Sequence, residues 1–498
     1  MNVSVRGSFG LLLLVLMTGC ASMQSHDSRS QDIAKARKTG GIPAALQQLD
    51  ASSSDKEELL YNLERGELLR LNQQIPESTA ALLKADAKVS EWEEKAKTSP
   101  DKLLGMAGAA LISERLKAYE GHDYEKVWLS TRLAMNRIAA NDLDNARVDI
   151  KRTHEREAVI AELRAKEAVK AEQDAKEKGA QTQNTELNGY PVETLNDPEV
   201  LKLKNGYQNA LSHYLAGFTY EVLGESGLAA PGYRKAIELR PDTAVLEEGL
   251  RGLDARSSFM LKRKQRQTDV LFMIEAGTAP ARVSKQFTLP IFWQGYRTVS
   301  ISYPVIQPSV EPFLGSVSLG GQSFKLEPVV DLNVMARRQL KEEMPGMILR
   351  NVTRAVTKYA VQKEVEKRTG LIGGLIATVV SVATEQADDR MWRQLPGRVY
   401  LARGLVTPGE YPLLIDGRET HRIKIDGQYA VVPLRLYEDM VVPGPISTFG
   451  ALPQFEIAAP AKPEAKPAAT SKKTKAAKPA KPAKKDSKQD GKPAPSAS

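Results

Sequence analysis

The stretch Ala210–Pro241, ALSHYLAGFTYEVLGESGLAAPGYRKAIELRP, restricts the fold of this 498-residue chain more than any other. With Ala210 as the first residue of a 34-residue unit, Gly217, Tyr220, Ala229, Tyr233, Ala236 and Pro241 fall at positions where a pair of helices needs particular residues. Gly217 and Ala229 permit close approach, Tyr220 and Tyr233 fill the space between units, and Pro241 closes the second helix. Pro231 departs from the pattern and is placed in the first turn of that helix, where proline is tolerated. One such unit cannot bury its own apolar face, so about three are needed for a stable stack. Two degenerate copies supply them. Leu59 to Asp86 carries Gly66, Leu69, Ser78, Leu82 and Ala85 at comparable offsets, and Val127 to Thr153 carries Leu133, Ala134, Asn141, Leu143, Ala146 and Ile150.

This spacing is similar to that of tetratricopeptide repeats and predicts an irregular α-solenoid over residues 31–260. On the usual repeat geometry, Leu211, Tyr214, Phe218 and Glu221 face the concave side and form a partner-binding surface. Within the stack, about 143–179, alanines and oppositely charged residues at i,i+4 spacing predict one long, largely exposed helix. It either projects from the stack or lies along a partner.

Past the basic run Lys262–Arg266 the pattern changes to strands, and 266–446 reads as an α+β domain. Asp269 to Glu275 carries the apolar run VLFMI, and Val299, Ile301 and Tyr303 alternate with polar neighbours. Asp416-Gly417 and Asp426-Gly427 can each supply the positive φ of a tight hairpin, which predicts an antiparallel β-meander. Two helices are expected before it, Leu332–Met344 and Met347–Arg368, separated by Pro345-Gly346. The second carries the apolar stripe Ile348, Val352, Ala355, Val356 and Tyr359. In Gly370–Glu385 the apolar part, Leu371–Ala383, would span about 20 Å as a helix, short of the roughly 30 Å hydrocarbon core. It reads as a buried helix or as a segment that dips into a membrane or a partner groove. Asp388, Asp389, Arg390 and Trp392 follow. Either Trp392 packs in the core beside a local Asp389–Arg390 ion pair, or Asp389, Arg390 and Trp392 form a partner-contact loop.

Location is written at the N-terminus. Arg6, the apolar run Phe9–Met17 and the small residues Thr18 and Gly19 precede Cys20, the only cysteine of the chain. The run LLLLVLMTGC resembles a bacterial lipoprotein signal. The resemblance implies a signal peptide over 1–19, a diacylglycerol thioether on Cys20, acylation of the new amino group by fatty acids such as palmitate, and a lipid-anchored linker over 20–30. Two or three acyl chains anchor stably where one does not. Ala21, in place of the aspartate of an inner-membrane retention signal, points to the outer membrane, on its periplasmic face.

The formal net charge of +9 is unevenly placed, because residues 459–498 hold eleven lysines against Glu464, Asp486 and Asp490, a net +8. A basic tail on a neutral body argues against nucleic acid as a partner. The Lys/Pro/Ala-rich tail, 447–498, has almost nothing to bury and reads as disordered. Lys472, Lys473, Lys475, Lys478, Lys481, Lys484 and Lys485 are candidates for weak contacts to cell-wall polymers or anionic lipid; a solvated spacer is the other reading. His26, His122, His154, His213 and His421 are scattered. No HExxH, phosphate loop, GxSxG elbow or dinucleotide fingerprint occurs, so neither metal nor cofactor nor catalytic residue is expected, and the chain does not read as an enzyme.

The whole layout is α+β multidomain: an irregular α-solenoid, then a mixed domain with a meander and packed helices, then a disordered tail. Together with YEKVWLSTRLAMNRIAANDLDNARVDIKR, YLAGFTYEVLG and ADDRMWRQLP, it resembles a family of proteobacterial outer-membrane lipoproteins with an N-terminal tetratricopeptide-like domain. The resemblance covers most of residues 1–440. It implies a protein–protein interaction adaptor or scaffold in the cell envelope, bound to an envelope protein partner. An activator of a peptidoglycan synthase is the alternative, and an envelope enzyme with a site in the β domain a third reading.

Overall fold

The computed structural model describes residues 25–100, 118–177, 191–262, 264–292, 296–351, 353 and 387–453. Helix α1, His26–Ser52, opens with the Ser25 hydroxyl accepting the Ser28 N–H and bends at Gly40-Gly41, where Gly41 takes φ +73°. His26, Ser30 and Ile33 are buried on it, so the expected linker over 20–30 gives way to packed helix from His26 onward.

Three helix pairs follow among the described residues. The first is α2, Leu59–Leu71, with α3, Ile75–Thr98. The second is α4, Asp123–Ala139, with α5, Leu143–Glu177. Short helices α6, Val192–Leu195, and α7, Pro198–Lys202, lead to the third pair, α8, Ala210–Val222, with α9, Ser226–Leu239. Small residues set the spacing as expected. A Cβ on Gly66 would come within 2.5 Å of Leu82, and one on Gly217 within 2.8 Å of the Tyr233 ring. Gly232, which the repeat pattern did not single out, lies 2.6 Å from the Gly217 nitrogen by the same measure. Pro231 sits in the interior of α9, beyond its first turn.

Helix α5 is the one long helix expected over 143–179, with more of its residues exposed than buried, but it packs along one stripe that ends at Leu163. Ala146, Ile150, Thr153, Arg156, Ile160 and Leu163 are buried, because they recur at three- and four-residue steps and make one packed stripe. α10, Ala244–Arg251, α11, Leu253–Ser257, and α12, Phe259–Lys262, complete the helical region.

The strands are β1 Thr268–Ala276, β2 Ala281–Phe292, β3 Tyr296–Gln307, β4 Ser316–Leu319, β5 Gln322–Lys325, β6 Glu327–Asp331, β7 Arg398–Val406, β8 Gly409–Ile415, β9 Arg418–Ile425, β10 Tyr429–Leu436, β11 Val441–Pro443 and β12 Ser447–Phe449. The main sheet has the order β11-β10-β1-β7-β6, with β12 also on β10. β1 runs parallel to β10 and antiparallel to β7. A second sheet has the order β5-β4-β8-β9, and among the described residues β2 and β3 form a two-stranded sheet.

Two turn expectations separate here. Asp416 and Gly417, at φ +49° and +78°, close the β8–β9 hairpin, as such a turn requires. Asp426-Gly427 closes none: β10 leaves for the main sheet, so the meander stops at β9. β10 is buried along nearly its whole length, and a place beside the fully buried β1 covers both its faces. The tail boundary expected at 447 is also displaced, since Ser447, Thr448 and Phe449 pair with Val431, Ala430 and Tyr429.

A helix over 332–351, α13, runs unbroken through Pro345-Gly346. Leu332, Met335, Ala336, Leu340, Met344, Met347 and Ile348 are buried. That stripe keeps its phase across the dipeptide and leaves Pro345 on the exposed side. Val352, Ala355, Val356, Tyr359 and Gly370–Glu385 lie outside the described residues.

The helical and strand regions share one core. Alternation along β1 sends Leu271 and Met273 into a cluster with Leu211, Phe218 and Trp128, while Val270, Phe272 and Ile274 pack with Val317, Leu413 and Ile425 of the second sheet. The order is helices, main sheet, second sheet, with β1 at the centre.

Candidate functional site

The helix-facing side of β1 carries Asp269, Leu271, Met273 and Glu275 in alternation, so its apolar middle is flanked by two buried carboxylates. Each is met by arginines. Glu275 accepts from Arg70 at 2.8 Å and Arg435 at 3.1 Å, and from Arg132; Glu67 of α2 takes Arg70 at 2.8 Å and Arg132 at 3.0 Å. All five side chains are buried. Burial pushes the Glu275 carboxyl up, but Arg132, Arg70 and Arg435 outweigh it and hold the group well below the carboxylate range.

At the other end of the strand Arg403 of β7 forks onto Asp269 at 2.9 and 2.8 Å and reaches Glu221 of α8 at 2.7 Å. Arg256 also donates to Glu221, at 2.6 Å. Against its burial, Arg403 and then Arg256 lower the Glu221 carboxyl to about 2. Every helix pair is thereby clamped to one strand, through Glu67 and Arg70, through Arg132, and through Glu221.

This arrangement corrects the expected concave surface. Leu211, Tyr214, Phe218 and Glu221 are each at most 1% exposed. Phe218 meets Tyr429 of β10 edge-on at 6.0 Å, and Tyr214 meets Tyr233 at 5.1 Å. The protein's own sheet fills the face that a partner would occupy.

The segment with Asp389, Arg390 and Trp392 is a strap between helices and sheet and presents no contact loop. Trp392 is fully buried. Arg390 pairs with Asp388 at 2.8 Å, and Asp389 accepts the backbone N–H of His26 at 2.9 Å. Helical side chains satisfy the main chain of the strap, as buried backbone requires. Glu125 accepts from Trp392 N–H at 2.6 Å, and Glu64 accepts from Arg393 and Gln394 N–H at 2.7 and 3.1 Å. The His26 ring, through Nε2–H, reaches the Met391 carbonyl at 2.8 Å. Burial pushes Glu64 up to about 8 although both amides oppose it. Burial, and then Arg29, lowers His26 to about 3.

His154 and His213 stack with ring centroids 4.9 Å apart, and His213 reaches Glu157 at 3.1 Å. Among the described residues no group of three His, Cys, Asp or Glu side chains is placed to hold a metal ion, and no helix is long and apolar enough to cross a membrane.

Comparison with known proteins returns nothing: no family model matches the chain, and no curated protein and no solved structure is similar to it.

On the outer surface, Val310 and Phe313 are 81% and 74% exposed. Between them Glu311 turns inward to accept from Asn333 at 2.8 Å and from the Ser309 hydroxyl. Its side chain fills a notch that two glycines leave open. A Cβ on Gly277, at φ +63°, would come within 2.4 Å of Glu311, and one on Gly397 within 1.6 Å. The loop is thus pinned at its centre while its two apolar side chains face solvent.

Cys20 and Lys472, Lys473, Lys475, Lys478, Lys481, Lys484 and Lys485 lie outside the described residues. The pattern reading missed Glu64, Glu67, Glu125, Glu275, Arg435 and Glu311. A signal existed for two of them: Glu275 ends the run VLFMI and Arg435 interrupts AVVPLRLY, and a lone charge in an apolar strand implies a buried partner.

Proposed function

We propose that this protein is an outer-membrane lipoprotein, held through acylated Cys20 and facing the periplasm, that works as a protein–protein adaptor in the cell envelope without making or breaking bonds. The observation that carries this reading is the pinned loop 308–313. Exposed apolar side chains are ordinary when scattered, but a rigid pair beside prolines offers a contact that needs little ordering on binding. Aromatic anchors of this kind supply most of the free energy of protein interfaces. The face of the α8 repeat is occupied by the sheet, so the partner engages the outside of the body.

In-cell crosslinking of the full chain tests this. Val310→Ser with Phe313→Ser is expected to remove a specific crosslinked envelope partner while leaving the circular dichroism spectrum and thermal midpoint unchanged. Retention of the same crosslink would contradict the assignment of this surface.

A further inference from the structure

The corner where α1 begins holds two arginines that pair with no carboxylate among the described residues. Nε of Arg29 and Nε and Nη1 of Arg393 are buried, and among the described residues nothing accepts a hydrogen bond from them. Both side chains are half-buried and so remain partly open to solvent. The acidic groups nearby are otherwise engaged. Asp27 accepts from Gln31 and acts on Arg393 only through its field, Asp388 is paired with Arg390, Asp389 takes the His26 N–H, and both oxygens of Glu64 take backbone amides. Glu64, pushed up to about 8, supplies little negative charge at neutral pH, and burial lowers the Arg393 guanidinium itself. The first turn of α1 adds its own positive end to the corner.

A half-buried guanidinium without an acceptor costs stability unless something outside the chain supplies one. The missing group is an anion with two or more oxygens, which matches the fork of a guanidinium. Position narrows the source. Cys20 lies five residues before Ser25, and five extended residues reach at most about 18 Å. The expected anchor therefore holds this corner close to a bilayer, where headgroup phosphates are concentrated.

We propose that Arg29 and Arg393 bind the phosphate of an anionic phospholipid headgroup and seat the α1 end of the body on the membrane. The site rests on the lipoprotein reading for its nearness to lipid and on Arg29 and Arg393 for its chemistry.

Titration of the purified full chain with short-chain dihexanoyl phosphatidylglycerol, below its micellar concentration, tests the site. Arg29→Gln with Arg393→Gln should weaken binding at least about tenfold, since hydrogen bonds to charged groups are the strong ones. The basic tail is present in both chains and cancels. Arg393→Gln without lipid should leave the thermal midpoint unchanged or raise it; a fall would assign the arginine a structural role and overturn the proposal. Equal affinity of the two chains would also overturn it. Inorganic phosphate that competes as well as the lipid would replace the headgroup by a free anion, against the proposal, whereas weak competition supports it. Mass spectrometry of Cys20 reads the anchor separately: an unmodified cysteine overturns the membrane seating, and unchanged titrations overturn the site.

Discussion

The Glu275 cluster and the corner beside His26 both take arginines out of water, and they answer them differently. Around Glu275, Arg70, Arg132 and Arg435 share two carboxylates, Glu67 and Glu275, and each arginine lies within 3.1 Å of at least one of them. At the corner Arg29 and Arg393 have no such acceptor among the described residues. A buried charge that the chain itself answers holds elements together. One that it leaves unanswered marks a place where the molecule meets something else.

Substitutions can break that contrast. The largest effect is expected at Glu275: Glu275→Ala leaves three buried guanidiniums with Glu67 as their one remaining carboxylate, and removing one member of a buried pair costs about 3–5 kcal/mol. Denaturant titration reads this as a lowered midpoint, and a loss under about 1 kcal/mol would contradict the clamp. Glu221→Gln should cost somewhat less, about 2–3 kcal/mol, because Arg403 keeps Asp269.

A third expectation concerns pH and the strap. Glu64 binds its proton more tightly in the folded chain, with its carboxyl raised from 4.5 to about 8. Its contribution is therefore complete below about 4.5 and is lost as pH rises toward 8, by up to about 1.4 kcal/mol per pH unit. His26 acts oppositely, since its lowered pKa of about 3 removes stability as pH falls from 6.5. Glu64→Gln should remove the loss of stability between about pH 4.5 and 8 and leave the His26-dependent fall below about pH 4.5. A profile unchanged by the substitution would show that the strap does not depend on that carboxyl.

The smallest effect sharpens the other half of the comparison. Arg393→Met should leave the lipid-free protein as stable as before or more stable by about 1 kcal/mol, because no pair is broken. A loss like that of Glu275→Ala would make the corner a second structural cluster.

Local chemistry was legible in the sequence, and distant pairing was not. Gly66, Gly217 and Tyr233 announced the helix pairs because the close approach of two helices admits only certain residues at fixed spacing. Asp416-Gly417 announced its hairpin because few residues tolerate positive φ. Nothing local distinguishes Asp426-Gly427, which leads out of one sheet and into another. The parallel pairing of β1 with β10 joins residues such as Glu275 and Arg435 that are far apart in the chain. For that reason the concave residues Leu211, Tyr214, Phe218 and Glu221 were correctly grouped on one face, yet their cover was invisible. Pro345-Gly346 looked like a break, but the apolar stripe of α13 continues in phase, and packing overrode local propensity there.

The claim on which the rest depends is that the face of the α8 repeat is closed by the protein's own sheet and that contact is made from outside. Thiol labelling under native conditions tests it directly, with Phe218→Cys and Phe313→Cys each placed in a chain whose Cys20 is replaced by Ser. The account predicts rapid modification at position 313 and protection at 218 until the protein unfolds; labelling of 218 as fast as 313 would contradict it.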